Sequence, residues 1–347
     1  FMCGLFGSGK KAVPTEWAYT RFFKKLFKHE EEIEKMLNKL VTELMLSLPG
    51  FGKDLAIDSK AIDSLSNRKN KNEKEDGRRD TDADWGKKKY SGIGEDGKPW
   101  EKIKKWFGYK LHLIVDATYE LPVAFELTKA SASDVKEGHK LIEKLEEKQP
   151  EIIQVCETME GDRGYDDTKL ITKLYDDYNI KPVIDIRNMW KDPDATRQLD
   201  RYNNIVYDYK GSVYCYCPET NTRREMSCGG FEKDRASLKK LCPAKQYGVE
   251  CKGCDKCPVN HAIRISLDTD RRIFTPIDRA SYKWDRQYNN RTSVERVNGR
   301  LDESFGFEKH YIRGIKKMKI KCGLGLCVML AMALARIREK QEGKIRS

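Results

Sequence analysis

The chain has 347 residues, enough for two or three domains and a substantial core. Its 67 Lys and Arg outweigh 55 Asp and Glu, and the net charge of +12 favours a polyanionic partner bound in a salt-sensitive way. The first 20 residues lack a secretory pattern, the longest uncharged apolar run (322–335) is too short for a bilayer, and the 11 cysteines then read as thiols or metal ligands rather than disulfides.

The chain begins at Phe1, which reads as a fragment lacking an upstream DNA-binding segment. Residues 15–48 carry helical spacing. Trp17, Phe22, Phe23, Leu26 and Phe27 form one apolar stripe, and Ile33, Met36, Leu37, Leu40, Leu44 and Leu48 a second. Simple packing is the expectation for both. Pro49-Gly50 ends the pattern. Residues 55–57 form a short apolar strand that delivers Asp58. Residues 67–105 hold 13 Lys and Arg, 9 Asp and Glu and almost no aliphatic side chain, the composition of a mobile loop. Within it, Lys87, Lys88 and Lys89 are candidates for phosphate contact.

Residues 108–117 and 121–127 read as a hairpin turning near 118–120. A helix follows, with Val135, Leu141, Ile142 and Leu145 on one face and a cap at Ser133 or Asp134. Residues 152–155 read as a strand leading towards Asp162. Residues 170–178 read as a helix and 180–186 as a final strand. This alternation predicts an α/β, ribonuclease-H-like core. Residues 188–286 interrupt it as a β-rich, cysteine-rich insertion. Hairpins are expected around Lys210-Gly211, and from 263–267 with 272–276. A helix with buried Val294, Val297, Leu301 and Phe305 then resumes the core. The expected division is therefore 1–52, a helical segment; 53–187, the first part of the core; 188–286, the insertion; and 287–347, the last catalytic helix with the C-terminal helices.

Three acidic residues fall at the ends of elements that read as strand, strand and helix: Asp58, Asp162 and Glu295. Carboxylates meeting at one point hold hard divalent cations such as Mg²⁺. Two such ions can activate a nucleophile and stabilise a leaving oxygen in phosphoryl transfer. On a basic chain, this points to cutting and joining of nucleic acid. Tyr288, Arg291 and Glu295 lie three and four apart and share a helix face. Asp63, Asp116 and Asp166 are competing carboxylates. His112 sits on a strand, either near the metals or simply packed.

Residues 56–60, 106–116, 121–125, 161–166 and the Tyr288/Arg291/Glu295 run together resemble a DDE transposase of the insertion-sequence type, in the broad IS4-like superfamily. The resemblance covers roughly 53–187 and 286–335. It implies Asp58, Asp162 and Glu295 as catalytic ligands of two Mg²⁺ ions, for which Mn²⁺ can substitute. It implies DNA contacts by Tyr288, Arg291, Arg300 and Lys60, a homodimer on paired terminal inverted repeats, a target DNA and no membrane. The expected location is the cytoplasm of a prokaryote, on the nucleoid. One position departs from the family pattern. The lysine expected seven residues after the glutamate is Asp302 here, with Arg300 nearby but turned about 140° around a helix from Glu295. A nuclease of the same fold and an inactive DNA-binding remnant are the other readings. An ion pair with Glu295 is the alternative role for Arg291.

Cys242, Cys251, Cys254 and Cys257 have short paired spacings that suit a structural Zn²⁺, with His261 or Cys228 as substitute ligands. Unliganded thiols are the alternative, and Cys215 and Cys217 precede the group. Residues 309–321 carry six Lys and Arg and no acid, a candidate contact to a nucleic-acid backbone.

Overall fold

The computed structural model describes residues 15–65, 80–93, 98–192, 195–259 and 261–346. Helices α1 (Glu16–Leu26) and α2 (Glu30–Ser47) lead into the strands. Ile33, Leu37, Val41 and Leu44 recur every three or four residues along α2 and are all buried. The α1 stripe behaves differently. Trp17 is 68% and Phe22 56% exposed, whereas Leu26 and Phe27 pack against the core, so packing accounts for only the end of that stripe.

The main sheet contains β1 (Asp54–Asp63), β2 (Asp84–Ile93), β3 (Pro99–Asp116), β4 (Leu121–Lys129), β5 (Thr158–Gly161) and β6 (Lys181–Ile184). The C-terminal half of β3 lies between β1 and β4, antiparallel to both. Strand β5 joins the other edge of β1 in parallel, and β6 joins β5 in parallel. The sheet is thus mixed. Burial of residues 109–116 of β3 follows from this central position, because both faces are covered. At Gly108, β3 passes so close to the end of β1 that a Cβ would stand 2.2 Å from the Ile62 carbonyl oxygen. Only glycine fits there.

Several sequence expectations change here. Strand β1 runs on to Asp63, because Ile62 returns to the core after three half-buried positions. Asp58 therefore lies inside a strand rather than at its end. Residues 84–93 and 99–105 are not loop but a ladder of β2 with the N-terminal half of β3. The expected loop's residues 67–79 and 94–97 lie outside the described residues. Residues 150–155 form a helix, α4 (Pro150–Val155), not a strand. Pro150 at the first helical turn starts it, following α3 (Asp134–Lys148). The strand that reaches Asp162 is β5 instead. Helix α5 (Thr168–Asp176) joins it to β6.

Beyond β6, one small sheet pairs β7 (Arg197–Gln198), β8 (Ile205–Tyr207), β9 (Val213–Tyr216) and β10 (Arg223–Glu225). Another pairs β11 (Ser227–Glu232), β12 (Ser237–Leu241) and, after α6 (Pro243–Tyr247), β13 (Ala262–Ser266). The partner of β13 is β12, and residues 272–276 form no strand, so the expected second hairpin is absent among the described residues. These strands share a second apolar core around Ile205, Val213, Ile263, Ile265 and Phe274.

Helix α7 (Tyr282–Tyr288) passes through a 3₁₀ turn (Asn289–Arg291) into α8 (Thr292–Phe305). The buried side of α8, formed by Val294, Val297 and Leu301, lies on β1 and β3. Gly306, at φ 62°, ends it in the left-handed conformation. Helix α9 (Ile315–Arg338) crosses the core against α2 and β4. It is the one described helix long and apolar enough to span a membrane, yet 56% of that stretch is buried inside the protein. Four cations of the basic run, Lys316, Lys317, Lys319 and Lys321, lie on its first turns. Lys319 is engaged by Glu30 and Glu126.

Candidate active site

The parallel pairing of β1 with β5 ends at Ile57 and Gly161. Asp58 and Asp162 are the next residues on each strand. Sheet register therefore makes neighbours of two side chains 104 positions apart in the chain. Asp58 is 7% exposed and accepts a hydrogen bond from the Ser59 N–H at 2.7 Å. Burial, then the charge of Asp162, pushes its carboxyl up to about 6. Asp162 is half-buried and caps the 3₁₀ turn Arg163–Tyr165 by accepting from the Gly164 N–H at 2.7 Å.

Glu295, in the first turn of α8, is more exposed. Arg291 stands between it and the strands. Its Nη1 is 2.9 Å from Glu295 Oε1 and 3.9 Å from Asp58 Oδ2. The ion pair considered as the alternative role for Arg291 is present. The Arg291 guanidinium also lies 5.6 Å from the Tyr288 ring centroid, and that ring stacks on Trp284 at 4.7 Å. Lys88 on β2 is within electrostatic reach of Asp58. Among the described residues, no three His, Cys, Asp or Glu side chains stand close enough to hold one metal ion. The donor set nevertheless suits a hard cation. Two neighbouring carboxylates, one desolvated and repelled by the other, would be relieved by a divalent charge.

The remaining expected contacts lie elsewhere. Lys60 pairs with Asp302 at 2.5 Å, both partners being largely buried. The position expected to carry a lysine thus carries the counter-ion of a lysine from β1. Arg300 donates to the Glu120 carbonyl, away from the carboxylates. Asp116 accepts from the Gly52 and Tyr119 N–H groups and braces the β3–β4 turn. Asp166 receives a fork from Arg272 at 2.8 and 2.9 Å, tying the second core to the first. Asp63 is exposed at the end of β1.

Sequence reasoning missed the support behind the site. Glu160, two residues before Asp162, is fully buried, and burial pushes its carboxyl up to about 8. Gln287 donates to Glu160 at 2.9 Å, to Asp54 at 2.7 Å and to Thr158 at 2.8 Å. One amide on α7 thereby locks the helical segment to β1 and β5. Its only sequence signal was an acidic residue inside a buried strand.

His112 is fully buried, its Nε2 3.0 Å from Thr128 Oγ1 and its Nδ1 3.8 Å from Asp134. Lys110, Glu126 and Glu137 also act on it, but burial dominates and lowers its pKa from 6.5 to about 4. The fold therefore holds the neutral ring. Its contribution is complete above pH 6.5 and is lost as pH falls towards 4, by up to about 3 kcal/mol. Urea midpoints measured across that window should fall steeply for the native protein and less steeply for His112→Gln. Equal slopes would show that His112 is not the group responsible.

The cysteines gather around one small cavity of about 20 Å³, lined by Cys215, Cys217, Cys242, Cys251, Cys254 and Cys257. The two proposed substitutes are not among them. Cys228 is exposed on β11 near Asp278, and His261 does not line the cavity.

A mixed sheet that brings two acidic side chains together beside a helix-borne arginine and glutamate is suited to phosphoryl chemistry on a polyanion. The sequence matches the family described as Transposase DDE domain over residues 49–331, and the chain belongs to that family. Membership makes it a transposase, a nucleic-acid-cleaving enzyme whose partner is DNA, in a family that generally uses divalent metals. Neither the curated proteins nor the solved structures searched give a match.

Proposed function

We propose that this transposase cuts and rejoins DNA at the ends of an insertion sequence of the IS4-like kind, with Asp58, Asp162 and Glu295 as its catalytic carboxylates. The observation that carries the reading is the adjacency of Asp58 and Asp162 just beyond the β1–β5 pairing, with Arg291 linking Asp58 to Glu295. The strand order β4-β3-β1-β5-β6 supports a ribonuclease-H-like core. On this reading, residues 53–187 and 287–347 build that core, 188–286 is an insertion and 1–52 a helical lead.

Asp58, Asp162 and Glu295 would hold two Mg²⁺, which supply an activated oxygen nucleophile and stabilise the departing 3′ oxygen. Asp58 is central because it neighbours both other carboxylates. Arg291 must leave Glu295 for the three to converge, and the scissile phosphate is the anion that would draw it away. Tyr288 holds the arginine from beneath, and Lys88 adds a cation on the strand side. The Gln287 clamp keeps α7 and α8 fixed while Arg291 moves. Paired ends would be held by a homodimer.

The test is a duplex carrying the element's terminal repeat, incubated with Mg²⁺ or Mn²⁺. Cleavage to a 3′-OH and joining to target DNA are expected. Cutting without joining would make the chain a nuclease, and end binding without cutting would make it an inactive remnant. Arg291→Ala should weaken end binding and lower the log–log salt slope by about one, as for loss of one phosphate contact. An unchanged slope with a lower melting temperature would leave Arg291 as only the partner of Glu295.

A further inference from the structure

The insertion contains a second, unrelated cluster of reactive side chains. Hairpin β8–β9 contributes Cys215, and the turn after it contributes Cys217. Cys242 stands at the junction of β12 and α6. Cys251, Cys254 and Cys257 come from two successive tight turns, in which the Cys254 N–H donates to the Cys251 carbonyl at 3.2 Å and the Cys257 N–H to the Cys254 carbonyl at 3.3 Å. All six face one cavity, too small for an organic ligand.

Four further observations distinguish this cluster from a chance packing of thiols. The Gly253 N–H donates to Cys217 Sγ at 3.4 Å, so two separate loops meet at one sulfur. Asn204 Nδ2 donates to Cys257 Sγ at 3.4 Å. Arg224 and Lys245 also line the cavity, which places positive charge beside a set of anionic ligands. The loop of residues 248–258 contains no helix or strand among its described residues and needs some other source of order.

We propose that the insertion binds one structural Zn²⁺ through four of these six sulfurs, Cys217 and Cys251 among them. The Gly253 N–H on Cys217 Sγ brings the turn that carries Cys217 against the loop that carries Cys251. The other two ligands come from Cys215, Cys242, Cys254 and Cys257. The sulfurs do not yet converge on one ligating point. Metal binding would have to draw them together, and a cysteine side chain can swing between staggered χ1 positions. Binding converts four thiols to thiolates and releases four protons to solvent. A closed tetrahedral site has no open position for water, so the metal orders the insertion and takes no part in DNA cleavage. It would fasten β9, α6 and the 248–258 loop together.

Full-length protein purified without chelators should contain about one zinc per chain by elemental analysis, with its cavity thiols slow to react until a chelator is added. Cys217→Ser and Cys251→Ser should each lose that zinc, whereas Cys228→Ser, outside the cavity, should retain it. Less than about 0.2 zinc per native chain with freely reactive thiols, or a Cys217–Cys251 disulfide in the untreated protein, would overturn the assignment. So would loss of zinc from Cys228→Ser. If a serine variant fails to fold, the native protein's stoichiometry and thiol protection still decide the matter.

Discussion

Alanine at Asp58, Asp162 or Glu295 is expected to abolish metal-dependent strand cleavage, a loss larger than the roughly 10–100-fold typical of changes one shell further from a metal. The stability consequences should differ from the catalytic ones. Asp58 is buried beside Asp162, and both effects disfavour its charge, so the fold gains nothing from the ionised carboxylate. Asp58→Asn should therefore melt, in chelator, at or above the temperature of the native protein. Sites arranged to bind a cation commonly cost stability without it. Glu295→Ala loses only an exposed ion pair with Arg291, worth under about 1 kcal/mol. Cleavage of an end-containing duplex, read beside thermal melts, separates the two effects. Normal cutting by any of the three variants would remove that residue from the site. A collapse of the fold in Asp58→Asn would contradict the electrostatic argument.

Legibility in the sequence followed burial. Helices α2, α3 and α5 each present one apolar face to the core, so their periodicity survives in the chain. The β3–β4 hairpin was legible because residues 109–116 are continuously buried and mostly apolar or aromatic, and apolar residues 121–125 follow a short turn. The β2–β3 ladder was illegible for the opposite reason. Residues 99–105 are all exposed and mostly charged or aromatic, so nothing in composition separates them from a loop. Only backbone pairing, Lys88 opposite Lys104 for example, makes them strands. Residues 152–155 failed because so short a segment with three apolar residues fits either period, and Pro150 was the stronger signal.

The site divides in the same way. Asp58 could be picked out because it follows an apolar strand, and Asp162 because it lies in the 161–166 stretch that carries the family resemblance. What the sequence could not show was the identity of their partners. Arg291 reaching Asp58, Lys60 engaged with Asp302 and Gln287 with Glu160 are tertiary facts, whereas the Arg291–Glu295 pair was foreseeable from their spacing along one helix face. The Lys60–Asp302 pair bears on the departure noted at position 302. Asp302 holds a strand lysine two residues beyond Asp58, so the position retains an ionic contact with the sheet although its charge is reversed. Cys215 and Cys217 could not be joined to the later cysteines until β9 and the 248–258 loop were placed around one cavity.

The largest expected loss of stability lies outside the site, at Lys240 and Asp278. Lys240 Nζ stands 2.6 Å from Asp278 Oδ2, with side chains 0% and 2% exposed. Removing one partner leaves the other charged and buried, so Lys240→Ala or Asp278→Ala should cost about 3–5 kcal/mol, whereas the pair Lys240→Met with Asp278→Leu should be near neutral. The position of Asp278 connects this to function. Its carbonyl accepts from the Ser281 hydroxyl, and Ser281 caps α7. Ile277 packs with Val183 and Trp284 in the small core that seats the same helix. Through α7 and the 3₁₀ turn, the buried pair is connected to the segment that carries Arg291 and Glu295. Hydrogen exchange of the full chain should show Asp278→Ala accelerating β12 and α7 together, with cleavage reduced although no carboxylate of the site is altered. Faster exchange confined to β12, with unimpaired cleavage, would show that the insertion does not help to position the catalytic helix.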